Sequence, residues 1–272
     1  MRRPFAASIP GVMAALAFSF VLLAQTTNQS TNQTTKKADA PKSPSSASAP
    51  NLSGLWSPVG DVTFDPSDPS GSKAADLAKY PMTPWGLGRF KANKPAHGQD
   101  QVSNSNDPIN KCVPPGVPRV YVMPSPLEIV QTADRLVMLF EYNSLFRIIY
   151  LDGREPPKDA DPTYMGWSNG HWEADTLVVD ATGFNGKGCL DRVGHPYSED
   201  LQLHERFRRV NPQTLQLDIT FHDPNAYTRD WTGQKLFKLH PEWHLGEYFC
   251  EDQYLFDEYQ QKAGFGSFLP SK

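Results

Sequence analysis

Basic residues do not outnumber acidic ones in this chain, no long helical pattern recurs, and cysteine occurs three times in 272 residues. Each scarcity excludes something. Lys and Arg total 26 against 30 Asp and Glu, with the signs mixed and no basic stripe, so nucleic acid is not an expected partner. No HExxH spacing occurs, which removes the compact zinc-protease signature. The one long apolar run, Ile9 to Leu23, is short for a span of roughly 20 residues and is broken by Pro10 and Gly11. Large apolar side chains are absent from residues 25–50, which hold Gln, Thr, Asn, Ser, Pro, Ala and Lys almost alone.

What is present begins with an export signal. Residues 1–24 carry Arg2 and Arg3, then the apolar run, then small residues before Gln25, the layout of a secretory signal peptide cleaved near Ala24. A retained anchor is the alternative, and the paired arginines leave both Sec and twin-arginine export open. Residues 25–50 are expected to be a disordered tether. Residues 51–272 then form one domain in the periplasm or outside the cell, with no membrane insertion after cleavage. Asn28, Asn32 and Asn51 stand in glycosylation sequons, for which composition is a sufficient explanation. In an exported chain three cysteines predict one disulfide and one leftover thiol. Three pairings are possible; Cys112 with Cys250 is preferred because the two flank the strand-rich region, leaving Cys189.

Along the domain, 51–56 reads as a first short strand, and 58–110 is rich in Pro, Gly, Ser and Asp and is expected to wrap the outside. Within it Thr83 followed by Pro84 predicts an N-capped helix running to about Asn93. From Pro118 short apolar runs alternate with turn residues. Ten strands are predicted: 117–123, 127–132, 135–142, 146–151, 170–173, 176–181, 201–210, 215–222, 233–239 and 244–250. Hairpin connections between them imply an all-β antiparallel meander closing into a lipocalin-like barrel, with a two-sheet sandwich as the alternative.

Strand alternation assigns the faces. Leu215, Leu217, Ile219 and Phe221 share the core face, and the same test sets Glu205 beside Leu203 and Phe207 and sets Glu247 beside Leu245 and Phe249. Two inward carboxylates need partners, since an isolated buried charge is strongly unfavourable. Arg147 and Arg119 are the candidates. The bland outcome is a buried structural ion pair; the sharper one is a polar-lined cavity holding a small organic, apolar or aromatic molecule.

The densest stretch is 163–211, with three histidines, Cys189 and many carboxylates. Acid–base chemistry at the barrel mouth would fall to Glu205, His195, His171, Glu247 and Asp191, because a histidine beside a carboxylate exchanges protons near neutral pH. A plain turn with a solvated histidine explains Gly194-His195-Pro196 equally well. His195, His204 and Asp191 or Glu205 match no compact metal motif, so no metal and no cofactor is assigned. Cys189 or Ser198 beside His195 is a weaker nucleophile candidate. Tyr142, Trp167, Trp172, Tyr197, Arg119 and Arg147 are the candidate ligand-binding residues, the aromatic rings being equally suited to plugging a barrel end.

Nine segments carry a resemblance: PMTPWG (81–86), CVPPGVPR (112–119), EIVQ (128–131), YLDGR (150–154), GHWEADTLVVD (170–180), GHP (194–196), ERFRR (205–209), AYTR (226–229) and YFCE (248–251). In order and spacing they are similar to a large family of exported, functionally uncharacterised bacterial proteins, over residues 51–252. The resemblance implies export and recurrent cysteines at 112 and 250, which favours their pairing, and it implies no activity. Trp167 stands where that family has His and Ala174 where it has Gly, so a role resting on that histidine would be lost here.

Overall fold

A computed structural model describes residues 50–60, 62–94 and 105–250. The expected signal peptide and most of the tether lie outside the described residues. Nine strands close a barrel: β1 (Gly54–Val59), β2 (Leu127–Gln131), β3 (Arg135–Phe140), β4 (Phe146–Tyr150), β5 (Trp167–Glu173), β6 (Thr176–Thr182), β7 (Gln202–Asn211), β8 (Thr214–His222) and β9 (Trp231–Leu239). Each pairs with its sequence neighbour and β9 returns to β1, so the sheet has no free edge. No helix among the described residues is long and apolar enough to cross a membrane.

The barrel bears out the all-β architecture and corrects three of its details. β4 and β5 pair in parallel, through Ile149 with Ser168 and Tyr150 with Asn169. A parallel neighbour cannot be reached by a tight hairpin. The Pro- and Asp-rich segment 151–166 is the crossover that carries the chain back, so that β5 runs beside β4 in the same direction. Residues 117–123 are no strand: Arg119–Val122 is a 3-10 turn in which Val120, Tyr121 and Val122 are all buried. The run looks like a strand by composition, but a plug buried on every side has no alternation to obey. Residues 244–250 are not a strand either, because β1 already occupies the open side of β9. Their backbone bonds go to side chains instead, Gly246 N to Glu141 Oε2 at 2.8 Å and Cys250 N to Asn143 Oδ1 at 2.8 Å. Glu247 is therefore exposed rather than inward.

Register stacks the interior in layers. Leu177, Phe207, Leu217 and Lys235 form one, Val179, Glu205, Ile219 and Gly233 the next, and Ala181, Leu203, Phe221 and Trp231 the third. The large members are nearly inaccessible, and each contributes about 1.5–3 kcal/mol by burial. Tyr121 from the 3-10 turn fills the centre, its ring 6.1 Å from both Phe207 and Phe237.

The N-terminal segment closes one end. Phe64 accepts a bond from Gln234 N at 2.7 Å, and its ring meets Phe221 edge-on at 5.4 Å. Gly233 permits this seat, since a Cβ there would stand 2.5 Å from Phe64 Cβ. The helix α1 (Pro84–Ala92) starts as expected, Thr83 Oγ1 accepting from Gly86 N at 3.0 Å with Pro84 in the first turn. Gly86 lets α1 lie on the backbone of Ala226, whose carbonyl oxygen a Cβ would approach to 2.2 Å. Cys112 and Cys250 form a disulfide, and Cys189 is a buried free thiol.

Candidate functional site

Four polar constellations contain the sequence-predicted residues or lie beside them. The first sits at the barrel centre. Arg147 on β4 and Glu205 on β7 both face inward, as alternation required, and meet as a two-point pair: Nη1 to Oε1 at 2.9 Å and Nη2 to Oε2 at 2.5 Å. Ser168 Oγ accepts from Nε at 3.0 Å and from Nη2 at 2.8 Å, and Tyr121 Oη accepts from Nη1. All five guanidinium hydrogens thereby find acceptors. Burial works against the arginine's charge, but Glu205 beside it holds its pKa above the ordinary value. Burial likewise raises the Tyr121 phenol. Both ends of the pair are sealed from water, so the arrangement orients the core and offers no open face to a ligand.

The second constellation is His195 with Asp191. Asp191 Oδ1 accepts from the backbone nitrogens of Val193, Gly194 and His195 at 3.1–3.2 Å, which curls the loop around one carboxylate. Its Oδ2 lies 2.5 Å from His195 Nδ1, and His195 Nε2 lies 2.8 Å from the Ala74 carbonyl. Both ring nitrogens lie within hydrogen-bond distance of an oxygen. The ring is 0% exposed, with its centroid 4.0 Å from that of Tyr80 and 5.2 Å from Phe90. The sequence reading set His195 at the rim. The structure places it in the core, where it ties the 190s loop to the N-terminal segment, because that segment covers the loop from a position far away in the sequence.

The third is Arg119 with Asp107, a sealed pair at 2.8 and 2.5 Å. Arg119 thus answers a carboxylate just before it in the chain, rather than Glu247. The remaining predicted residues scatter. His171 is exposed, its Nε2 3.4 Å from Glu173 Oε1. Trp172 is half-buried against the core. Trp167 stacks on Tyr150 at 4.8 Å on the outer wall. Tyr142 is buried in the β3–β4 turn against Tyr248, at 5.3 Å, and Tyr197 is buried against Phe184, at 6.4 Å. The five candidate acid–base residues are therefore not gathered in one site.

The fourth was not assembled from sequence. A cavity of about 400 Å³ lies on the outer wall of β7–β9, lined by His204, Arg206, Asp218, Thr220, Thr232 and Gln234 and bounded by Phe64, Asp65, Pro66 and Lys79. Register explains the wall: His204, Thr220 and Thr232 make one cross-strand row, and Arg206, Asp218 and Gln234 make the next. Asp218 accepts from the amides of Gln216 at 2.8 and 3.0 Å and of Gln234 at 2.8 Å. His204 Nδ1 meets Asp180 at 2.8 Å and Arg206 meets Glu173 at 2.9 Å. Lys79 pairs with Asp65 across the groove's upper lip. Burial works against the Asp65 charge, but Lys79 and the Ser67 donors outweigh it and hold the carboxyl below its usual range. Alternation did place Asp218, Thr220 and His204 on the outer face. What it could not supply was the segment 64–79 that converts a polar wall into a groove.

Among the described residues no group of three or more His, Cys, Asp or Glu side chains is placed to hold a metal ion. Neither a scan against protein-family models nor a search of curated proteins finds a match for this chain.

Proposed function

We propose that this is an exported protein, of the family that its motifs resemble, whose barrel binds a small organic molecule in the groove over β7–β9. The observation that carries the reading is the groove itself. Its volume of about 400 Å³ is of the size small-molecule sites use, roughly 300–1,000 Å³. Its floor mixes a guanidinium, an imidazole, a carboxylate, an amide and two hydroxyls, while Phe64 and Pro66 add an apolar lip. Such a site suits a molecule with several hydrogen-bonding groups and one apolar edge. The barrel interior, filled by Tyr121, Phe207, Phe237 and the Arg147–Glu205 pair, supports placing the ligand on the wall rather than inside.

The test is a thermal-shift and calorimetry screen of polar and aromatic small molecules on the whole exported chain. A hit is expected to bind saturably, and to lose about tenfold or more in affinity with Arg206→Gln or Asp218→Asn, the loss of one charged hydrogen bond. Both variants should fold normally, since both side chains are on the wall. Hits unaffected by either substitution would place the ligand elsewhere. Substrate turnover in the same screen would convert the binding reading into an enzymatic one.

A further inference from the structure

Opposite charges that face each other directly across two antiparallel strands ordinarily pair. On the floor of the groove two such charges do not. Arg206 on β7 and Asp218 on β8 are cross-strand partners, and Asp218 is in turn the partner of Gln234 on β9. Each is held by something else. Arg206 is turned toward β5, its Nη1 donating to Glu173 Oε2 at 2.9 Å. Asp218 is held by neutral amides alone: Gln216 Nε2 donates to Oδ1 at 3.0 Å and to Oδ2 at 2.8 Å, and Gln234 Nε2 donates to Oδ1 at 2.8 Å. The nearby cation Lys79 is committed to Asp65. Among the described residues, Asp218 therefore lines the groove without a cation of its own.

Both groups keep capacity in reserve. A guanidinium carries five N–H donors and a carboxylate about four lone-pair sites. Arg206 spends one donor on Glu173. Asp218 has both sites on Oδ1 filled and one of the two on Oδ2. A donor-rich cation and an accepting carboxylate thus stand side by side without cancelling each other. An anionic ligand would meet Asp218 unanswered, and a simple cation would meet Arg206 unanswered, so each is disfavoured by the charge it leaves unpaired. A neutral ligand satisfies hydrogen bonds but neither charge. The class that answers both at once carries a carboxylate beside an ammonium.

We propose that the groove over β7–β9 takes a free α-amino acid, with its carboxylate on Arg206 and its ammonium on Asp218. An α-amino acid bears the two charged groups on one carbon, which suits a single cross-strand pair whose Cβ atoms lie about 4.5–5.5 Å apart. The ligand's side chain then runs along the next row, Thr220 and Thr232, or under the lip formed by Phe64 and Pro66. The proposal rests on the reading of the groove as a ligand site and adds the class of ligand.

Calorimetry of the whole chain against a panel of the common L-amino acids, and then against blocked forms of whichever binds, tests it. At least one free amino acid is expected to bind saturably. Amidating its carboxyl group and acetylating its amino group should each weaken binding about tenfold or more, the loss of one charge-assisted contact. Asp218→Asn should remove the penalty for acetylation and keep that for amidation; Arg206→Gln should do the reverse. The blocked forms need only the unsubstituted chain, so the test holds even if a variant folds poorly. A panel without a binder would overturn the proposal, as would blocked forms that bind as tightly as the free amino acid, or penalties that neither substitution changes. If other small molecules still bind in a way that depends on Arg206 and Asp218, only the ligand class is wrong. If no compound does, the reading of the groove falls as well.

Discussion

At the residue scale, Arg147 and Glu205 show what a buried charge requires. Each is intelligible only through the other, since desolvation of either alone outweighs anything the surrounding apolar layer returns. Glu205→Gln is expected to leave Arg147 charged and uncompensated, and to cost about 3–5 kcal/mol in urea unfolding. Arg147→Met combined with Glu205→Leu should cost well below the sum of the two single substitutions, because the second change removes the orphan that the first creates. Additive losses would mean that the pair does not act as a unit. Two buried titratable groups give a pH dependence. Burial pushes the Cys189 thiol from its ordinary 9.0 up to about 12. Burial, with Tyr248 alongside, pushes the Tyr142 phenol from 10.0 up to about 12. Both ionise in the unfolded chain before they ionise in the folded one. Their stabilising contribution is therefore complete below the unfolded values and lost as pH rises through the folded ones. Equilibrium unfolding at stepped alkaline pH should show stability falling between 9.0 and about 12, and Cys189 should resist thiol reagents until the chain unfolds. Rapid labelling of the native protein would contradict its burial.

At the scale of elements, the cap of α1 and its docking can be separated. Thr83→Ala removes the bond to Gly86 N and the hydroxyl's bond to the Asn225 carbonyl at 2.6 Å; a loss of about 0.5–2 kcal/mol is expected. Gly86→Ala should cost more than Thr83→Ala, although alanine is the better helix former. The added methyl would meet the Ala226 carbonyl at 2.2 Å, and backbone cannot swing aside as a flexible side chain can. Denaturant midpoints of the two variants decide the order; a milder Gly86→Ala would show that α1 can lift from the barrel. Elements also show where sequence reading succeeds. β8 was legible because Leu215, Leu217, Ile219 and Phe221 alternate with polar neighbours, and alternation is the direct imprint of one wet and one dry face. The same rule set Glu205 inward correctly. It failed at Trp243, Leu245, Glu247 and Phe249, where the alternation is present but no partner strand is.

At the scale of the whole molecule, the Cys112–Cys250 disulfide joins residues 138 apart in sequence. It stabilises chiefly by restricting the unfolded chain, and more so for long loops. Reduction, or the double change Cys112→Ser with Cys250→Ser, is expected to cost about 2–5 kcal/mol and to lower the unfolding midpoint. No change on reduction would mean that the bond is not formed in the isolated protein.

The sequence by itself determined the all-β class, most strand positions, the cap of α1 and the inward direction of Glu205, because these follow from local backbone preference and the two-residue period of a strand. Only the tertiary structure decided the parallel step between β4 and β5, the sealed seat of His195 and the groove over β7–β9. Each depends on a segment far away in the chain arriving at one place: the crossover 151–166, the carbonyl of Ala74, the lip at Phe64 to Pro66. Spacing along a sequence encodes which face a side chain takes; what covers that face is settled when distant segments pack.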